Sequence, residues 1–190
     1  MMMTRRIAPI DLARPAMGRV RVRTLLLIRW LAIFGQIAAL LVVDELLDFD
    51  LPMIPAMATI GASAAVNIWI IARYNLSQWH HDRTAAGYLA FDILQLAALL
   101  YLTGGLDNPF ALLFLVPVTI SATILSLRSA VYLGLLAGTC VSLLGVFHLP
   151  LPWPNPGFQL PQLYAAAIWI SLILGTVFLM FYAWRVAEEA

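Results

Sequence analysis

The sequence predicts an all-α membrane protein, a bundle of six transmembrane helices with its N- and C-termini in the cytoplasm. Hydrophobic residues make up 63% of the chain and charged residues only 11%, whereas soluble domains contain roughly 45–50% and about 25%. Six apolar stretches are each long enough to cross a hydrocarbon layer of roughly 30 Å. All eleven basic residues can be placed on one side of these stretches, which sets the orientation.

Short connections separate the predicted spans. The spans are Leu25–Val43, Pro52–Ala72, Ala85–Thr103, Pro109–Leu127, Ala130–His148 and Gln162–Trp184. We expect a basic cytoplasmic leader over residues 1–24 and one transmembrane domain over residues 25–184. Residues 185–190 are predicted to start a cytoplasmic helix that leads to a region outside this chain, although a helix that simply ends there remains an alternative.

The basic residues are all Arg, and they determine the predicted topology. Six precede the first span, and others flank the connection between spans two and three, the turn after span four and the end of span six. The connections at 44–51, 104–108 and 149–161 contain no Arg, and the first two contain acidic residues. By the positive-inside rule, these three connections lie on the outer side.

A group of polar residues lies inside the first three spans, where polar side chains are costly and usually have a role. Arg29, Asn67 and Asp92 share a depth near the cytoplasmic ends, and Gln95 follows Asp92 on the same helix face. A proton or ion relay is one interpretation. We favour an interhelical clamp in which Arg29 pairs with Asp92, because spans four to six offer only Ser and Thr, which commonly bond their own helix.

Two further patterns concern helix packing. Ala130, Gly134, Gly138 and Ser142 recur every four residues in span five, which predicts a close helix contact within the bundle rather than a dimer seam. Pro117 is predicted to kink span four in its middle and to border a cavity.

The sequence shows no catalytic constellation. Cys140 is interpreted as a buried structural thiol, and His80-His81-Asp82 as a solvated loop, because adjacent histidines point to different sides. We expect neither a bound metal nor haem, and no direct contact with nucleic acid.

The outer hairpin between spans three and four reads GGLDNPF over residues 104–110. This heptapeptide matches the GGxxNPF motif of the RegB/PrrB/ActS-type redox-sensing histidine kinases, and it falls where that family places it. The resemblance covers essentially the whole chain: a basic N-terminus, six spans, short loops and a helix that leaves toward the cytoplasm.

The resemblance implies the transmembrane sensor of a two-component kinase in the bacterial inner membrane. Family members monitor the membrane quinone pool, and bound oxidised ubiquinone restrains autophosphorylation of a cytoplasmic His. Phosphate then passes to a response regulator. The kinase domain would lie beyond residue 190, and the resemblance also implies a homodimer surrounded by membrane lipid.

The resemblance further implies where ubiquinone binds. The expected binding residues lie in and just after the hairpin: Gly104, Gly105, Asn108, Pro109, Phe110 and Phe114. Asn108 and free N–H groups at the start of span four would donate to a quinone carbonyl, while Phe110 would stack on the ring. Trp153 and Phe158 are a possible lid. The same heptapeptide also suits a tight helical hairpin, and both interpretations can hold.

Two other functions stay open at the level of sequence. A small transporter or channel subunit would need a continuous polar path across the membrane. A purely structural membrane anchor would need no ligand, so hairpin substitutions would change only stability.

Overall fold

The structure is a computed structural model, and it describes residues 19–73, 79–152 and 161–189. Most of these residues are helical. The α-helices are α1 (Val22–Leu41), α2 (Met53–Arg73), α3 (Asp82–Leu102), α4 (Leu115–Ile124), α5 (Leu127–Leu144) and α6 (Gln162–Glu189). A π-helical turn, Val42–Leu46, extends α1, and 3₁₀ segments at Gly105–Asp107 and Pro109–Phe114 lead into α4.

The predicted six-span fold is confirmed, although the fourth span is built differently from the others. Five helices are long and apolar enough to cross a membrane, whereas the apolar stretch Pro109–Ile124 is shorter. Its first part is 3₁₀ helix, which rises about 2 Å per residue against about 1.5 Å in an α-helix. The two parts together therefore extend about 27 Å, close to the roughly 30 Å of the hydrocarbon layer.

Helix α3 is the centre of the bundle. It packs against α2 on one side and against α4 and α5 on the other, and α6 packs on α4 and α5. One apolar core joins α3 to the last three helices through residues such as Ile93, Phe114 and Leu133. A second core joins α1, α2 and α3 through residues such as Ile33 and Ile60.

The structure corrects the interpretation of His80-His81-Asp82 as a solvated loop. Trp79–His81 is a short strand, β2, which pairs antiparallel with β1, Arg19–Arg21. The last residues of the predicted leader are therefore a strand and, from Val22, the start of α1. This small ladder joins the chain before the first span to the connection between spans two and three.

The interpretation as a solvated loop residue is also wrong for Asp82. As the first residue of α3, it accepts hydrogen bonds from the backbone N–H of Ser126 at 2.6 Å and from its hydroxyl at 2.8 Å. The hydroxyl of Ser129 donates to the same carboxylate. The start of α3 and the turn between α4 and α5 are thus at one level, so span four crosses the same thickness as span three.

The small residues of α5 face α6, as predicted. A Cβ placed on Gly134 would lie 2.7 Å from the sulfur of Met180, and one on Gly138 would lie 3.6 Å from Ile173 Cδ1. Ser142 accepts a hydrogen bond of 3.1 Å from the indole N–H of Trp169. The stripe therefore makes an intramolecular contact.

Pro117 does not lie in the middle of a regular helix, so the predicted mid-span kink is wrong. Helix α4 begins at Leu115, and Pro117 is in its first turn, where a missing N–H is tolerated. The irregularity of span four is the 3₁₀ segment Pro109–Phe114 that precedes it.

Candidate ligand-binding site

The two glycines of the hairpin are required by backbone conformation and by close packing. Gly104 has φ +107° and Gly105 has φ +56°, values that side chains on L-residues disfavour. A Cβ on Gly104 would lie 2.7 Å from the Cβ of Leu151, and one on Gly105 would lie 2.5 Å from His148 Cγ. The connection after α5 therefore packs directly on these glycines.

Asn108 holds the hairpin closed from within. Its Oδ1 accepts from the N–H of Phe110 at 2.9 Å, which caps the 3₁₀ segment that Pro109 begins. Its Nδ2 donates to the carbonyl of Thr103 at 2.9 Å and to the Thr103 hydroxyl at 3.0 Å. Both ends of the amide, and the first N–H of span four, already have partners in the hairpin.

A cavity of about 450 Å³ lies below the hairpin, between α1, α3 and the start of span four. Thr103, Asn108 and Phe110 line its outer end, whereas Arg29 and Asp92 line its inner end. Most of the remaining lining is apolar, and it includes Pro117, which borders a cavity as predicted.

The cavity opens sideways toward the lipid. Helix α1 packs on α2 but makes little contact with α4 within the described residues. Exposed side chains of both elements, among them Leu31, Leu113 and Val116, line the gap between them. A molecule dissolved in the bilayer can therefore reach the cavity without crossing an aqueous phase.

The expected binding residues are only partly brought together in this cavity. Phe110 is 39% exposed and lines it, as does Asn108. Phe114 is buried in the core, and Gly104, Gly105 and Pro109 are not among the lining residues. The possible lid residues Trp153 and Phe158 lie outside the described residues.

The intramembrane polar residues meet at the inner end of the same cavity. Arg29 Nη1 lies 2.6 Å from Asp92 Oδ1 and donates to the carbonyl of Tyr88 at 3.2 Å. Arg29 Nε donates to Asn67 Oδ1 at 2.5 Å, and the guanidinium lies 5.7 Å from the centre of the Phe91 ring. One arginine on α1 thus contacts both α2 and α3.

Next to this cluster, Gln36 on α1 and Gln95 on α3 form a reciprocal amide pair. The two hydrogen bonds measure 3.1 Å and 3.4 Å, and both side chains line the cavity. The sequence already shows Gln36 as a polar residue of span one that lies a little deeper than Arg29, but Gln36 was not included in the predicted polar cluster. Its position seven residues after Arg29, on the same face of one helix, is the signal that joins it to the site.

The hairpin and the polar cluster are therefore the two ends of a single cavity. Asp92 and Thr103 lie on the same helix, and the α-helical rise places them about 16 Å apart along its axis. Among the described residues, no group of His, Cys, Asp and Glu is arranged to hold a metal ion. The arrangement suits an amphiphile with a small polar head and an apolar remainder.

Comparison with known proteins identifies the family. The model of the PilS-like transmembrane domain, a six-span domain, matches residues 14–187. This chain belongs to the PilS-like transmembrane domain family. The match runs from the basic leader through all six helices, so the PilS-like domain accounts for the fold described above.

Two curated relatives carry the name sensor histidine kinase RegB. One, from Cereibacter sphaeroides, is 40% identical over 170 residues, which cover 89% of this chain and 37% of the relative. The other, from C. sphaeroides strain ATCC 17023, is 42% identical over 171 residues, covering 90% and 37%. No solved structure matches the chain.

The chain spans little more than a third of the length of these relatives. Within that length it corresponds to the membrane region of a sensor histidine kinase, and the resemblance stated from the heptapeptide is confirmed. The PilS-like domain described here is therefore a multi-pass domain of the bacterial inner membrane.

Proposed function

We propose that this domain is the redox sensor of a two-component histidine kinase and that it binds ubiquinone in the cavity below the GGLDNPF hairpin. The observation that carries the proposal is the position of the cavity. It ends at the heptapeptide, is lined mainly by apolar side chains and opens toward lipid between α1 and α4. The resemblance to the RegB-type kinases supports the choice of ligand.

The size and chemistry of the cavity support a lipid-soluble ring. Small-molecule sites usually measure about 300–1,000 Å³ and combine apolar walls with a few placed polar groups, and a cavity of about 450 Å³ falls in this range. A quinone reaches such a site from the bilayer, where its isoprenoid tail remains. Phe110 adds an aromatic surface at the outer end, which suits a flat ring or an unsaturated tail.

The hairpin contributes rigidity to the proposed site. The Asn108 bonds to Thr103 and Phe110 hold the ends of spans three and four together. The connection after α5 is tied to the same place, because Leu149 N–H donates to the carbonyl of Tyr101 at 2.8 Å. A cavity held by such a frame keeps its shape without a ligand, which reduces the ordering cost of binding.

The remaining parts of the proposal concern the whole protein. We propose a cytoplasmic kinase domain in the same parent chain, a downstream response regulator and a homodimer. Helix α6 runs without interruption from Gln162 to Glu189, so it can carry a displacement out of the bundle. A ligand regulates a kinase only through a difference in affinity between two states, so we expect bound quinone to favour one arrangement of α6.

A pair of glycines gives a matched test. Gly35 lines the cavity, and nothing lies within 4 Å of a Cβ built there. Gly61, on α2, is equally open but does not line the cavity. Gly35→Leu, whose Cβ meets no neighbour, is expected to obstruct the cavity and to abolish binding of a short-tailed ubiquinone to the domain in nanodiscs. Gly61→Leu should leave binding unchanged.

Two outcomes would reject the proposal. If the folded parent binds no short-tailed ubiquinone saturably, the domain is not a quinone sensor by itself. If Gly35→Leu and Gly61→Leu bind as the parent does, the ligand lies elsewhere. Solute flux through liposomes that contain the domain would instead favour a transporter or channel subunit.

A further inference from the structure

The inner end of the cavity holds hydrogen-bonding groups that the hairpin end lacks. At the hairpin, the Asn108 amide and the Phe110 N–H are already used. At the inner end, Asp92 uses Oδ1 for Arg29, its side chain is 22% exposed, and no described residue bonds its Oδ2. Arg29 Nη2 is buried and also has no partner among the described residues.

The Gln36–Gln95 pair next to these groups can form a hydrogen bond with either a carbonyl or a hydroxyl oxygen of a ligand. Each carboxamide has a carbonyl that accepts and an NH₂ that donates. The longer of their two hydrogen bonds measures 3.4 Å, which is beyond the usual range of 2.7–3.2 Å. This bond can be exchanged for a bond to a ligand while the shorter one, of 3.1 Å, remains.

We infer, on the basis of the proposed function, that the quinone ring lies at the inner end of the cavity, between the Gln36–Gln95 pair and the Arg29–Asp92 pair. The tail then passes along the apolar wall and leaves between α1 and α4, and Phe110 contacts the tail rather than the ring. The ring is thus about 12–16 Å below the hairpin, by the rise of α3 from Thr103 back to Gln95 and Asp92.

The cost of burying polar atoms supports this position. A ring oxygen that enters an apolar cavity without a hydrogen-bond partner loses its hydrogen bonds to water, and nothing in the cavity offsets that free-energy cost. The oxidised ring has two carbonyl acceptors, which the Gln amides and Arg29 Nη2 suit. The reduced ring has two hydroxyl donors, which Asp92 Oδ2 and a Gln carbonyl suit. The inner end therefore offers partners to both oxidation states, whereas at the hairpin end the donors of Asn108 and Phe110 are already used and none is left for a quinone carbonyl.

Photolabelling of the unaltered domain tests the position directly. A ubiquinone with an azide on its ring is bound to the domain in nanodiscs, illuminated, and the labelled peptides are mapped. The inference expects label on α1 around Gln36 and on α3 between Tyr88 and Leu96. Label confined to residues 108–113 would place the ring at the hairpin and overturn the inference.

A double substitution tests the hydrogen bonds. Gln36→Met with Gln95→Met removes both amides together, so neither is left unpaired, and Met adapts to the space. We expect short-tailed ubiquinone and its quinol to bind at least 10-fold more weakly, and the carbonyl infrared band of bound, ¹³C-labelled quinone to shift toward that of a free carbonyl. Thr119→Val with Thr123→Val is the control, because these exposed hydroxyls bond their own helix.

The results separate the two proposals. Binding that Gly35→Leu abolishes but that the double Met variant leaves unchanged, in affinity and in the infrared band, overturns the ring position and leaves the quinone site intact. Absence of binding in the folded parent overturns the proposed function, and the inference with it.

Discussion

Arg29 on the first helix and Asp92 on the third form an ion pair of 2.6 Å inside the apolar bundle, and Asn67 on the second helix bonds the same guanidinium. Three helices are therefore joined at one arginine, 3% exposed. At this short distance the two charges attract each other strongly in the apolar bundle, whereas either charge buried without the other would cost several kcal/mol of stability.

Replacing one member of the Arg29–Asp92 ion pair should destabilise the domain more than replacing both. Arg29→Leu leaves the Asp92 carboxylate uncompensated, and we expect the free energy of unfolding to fall by about 3–5 kcal/mol. The double variant Arg29→Leu, Asp92→Leu should recover most of this loss. Unfolding in bicelles measures both, and a double variant less stable than Arg29→Leu would contradict the prediction.

Asp82 is expected to be a structural residue of the cytoplasmic end. Asp82→Ala removes the acceptor for Ser126 and Ser129, and hydrogen bonds to a charged group contribute about 1.5–3 kcal/mol. Asp82→Asn should cost less, because its carbonyl still accepts from the Ser126 N–H. Unfolding midpoints check the order, with the exposed neighbour Arg83→Ala as a control expected to be within about 0.5 kcal/mol of the parent.

Gly105→Ala should destabilise the hairpin for two separable reasons. The left-handed backbone costs about 1–2 kcal/mol with a Cβ, and the new methyl would clash with the His148 ring. Adding His148→Ala should relieve only the clash. Gly87→Ala, a helical site with nothing within 4 Å, should be neutral or gain up to about 1 kcal/mol. Equal effects of Gly105→Ala with and without His148 would show that the ring moves aside freely.

Asn108→Ala should distinguish a role of Asn108 in the structure of the hairpin from a role in binding the ligand. The variant loses a cap worth about 0.5–2 kcal/mol and the bonds to Thr103. Because those atoms face the hairpin itself, quinone affinity per folded molecule should change less than with Phe110→Ala. Equilibrium binding corrected for the folded fraction checks this, with Phe147→Ala as the exposed aromatic control. A larger loss of affinity in Asn108→Ala than in Phe110→Ala would show that Asn108 contacts the bound quinone.

The spans were predictable because length, hydropathy and turn residues are local properties. Predicted and observed ends differ by a few residues at most for spans such as Leu25–Val43, and the heptapeptide located the hairpin. The strand pair was not predicted, because Arg19–Arg21 and Trp79–His81 are each three residues long and lie far apart in sequence, although the first alternates polar and apolar residues. The Asp82 contact was missed for the same reason, although Asp at the start of a helix and Ser at the next cap are both visible signals.

The candidate site shows the same limit. Shared depth was enough to group Arg29, Asn67 and Asp92, since positions along a span follow from counting residues. What counting does not supply is rotation about each helix axis. That rotation places Phe110 on the cavity and Phe114 in the core, and it joins the hairpin and the polar cluster into one cavity.

The ion pair at Arg29 also has a consequence for the order of synthesis. The first helix leaves the ribosome with its arginine, whereas Asp92 follows roughly 60 residues later, about 3–12 s at about 5–20 residues per second. During that interval the arginine has no counter-ion, and a lone Arg in a span costs about 2.5–3.5 kcal/mol on insertion scales. Its place near the cytoplasmic end lets it reach the lipid headgroups until its partner arrives. Arg29 therefore reaches its buried position only when the third helix is made, so the packing of the first three helices is completed as a unit of three rather than one helix at a time.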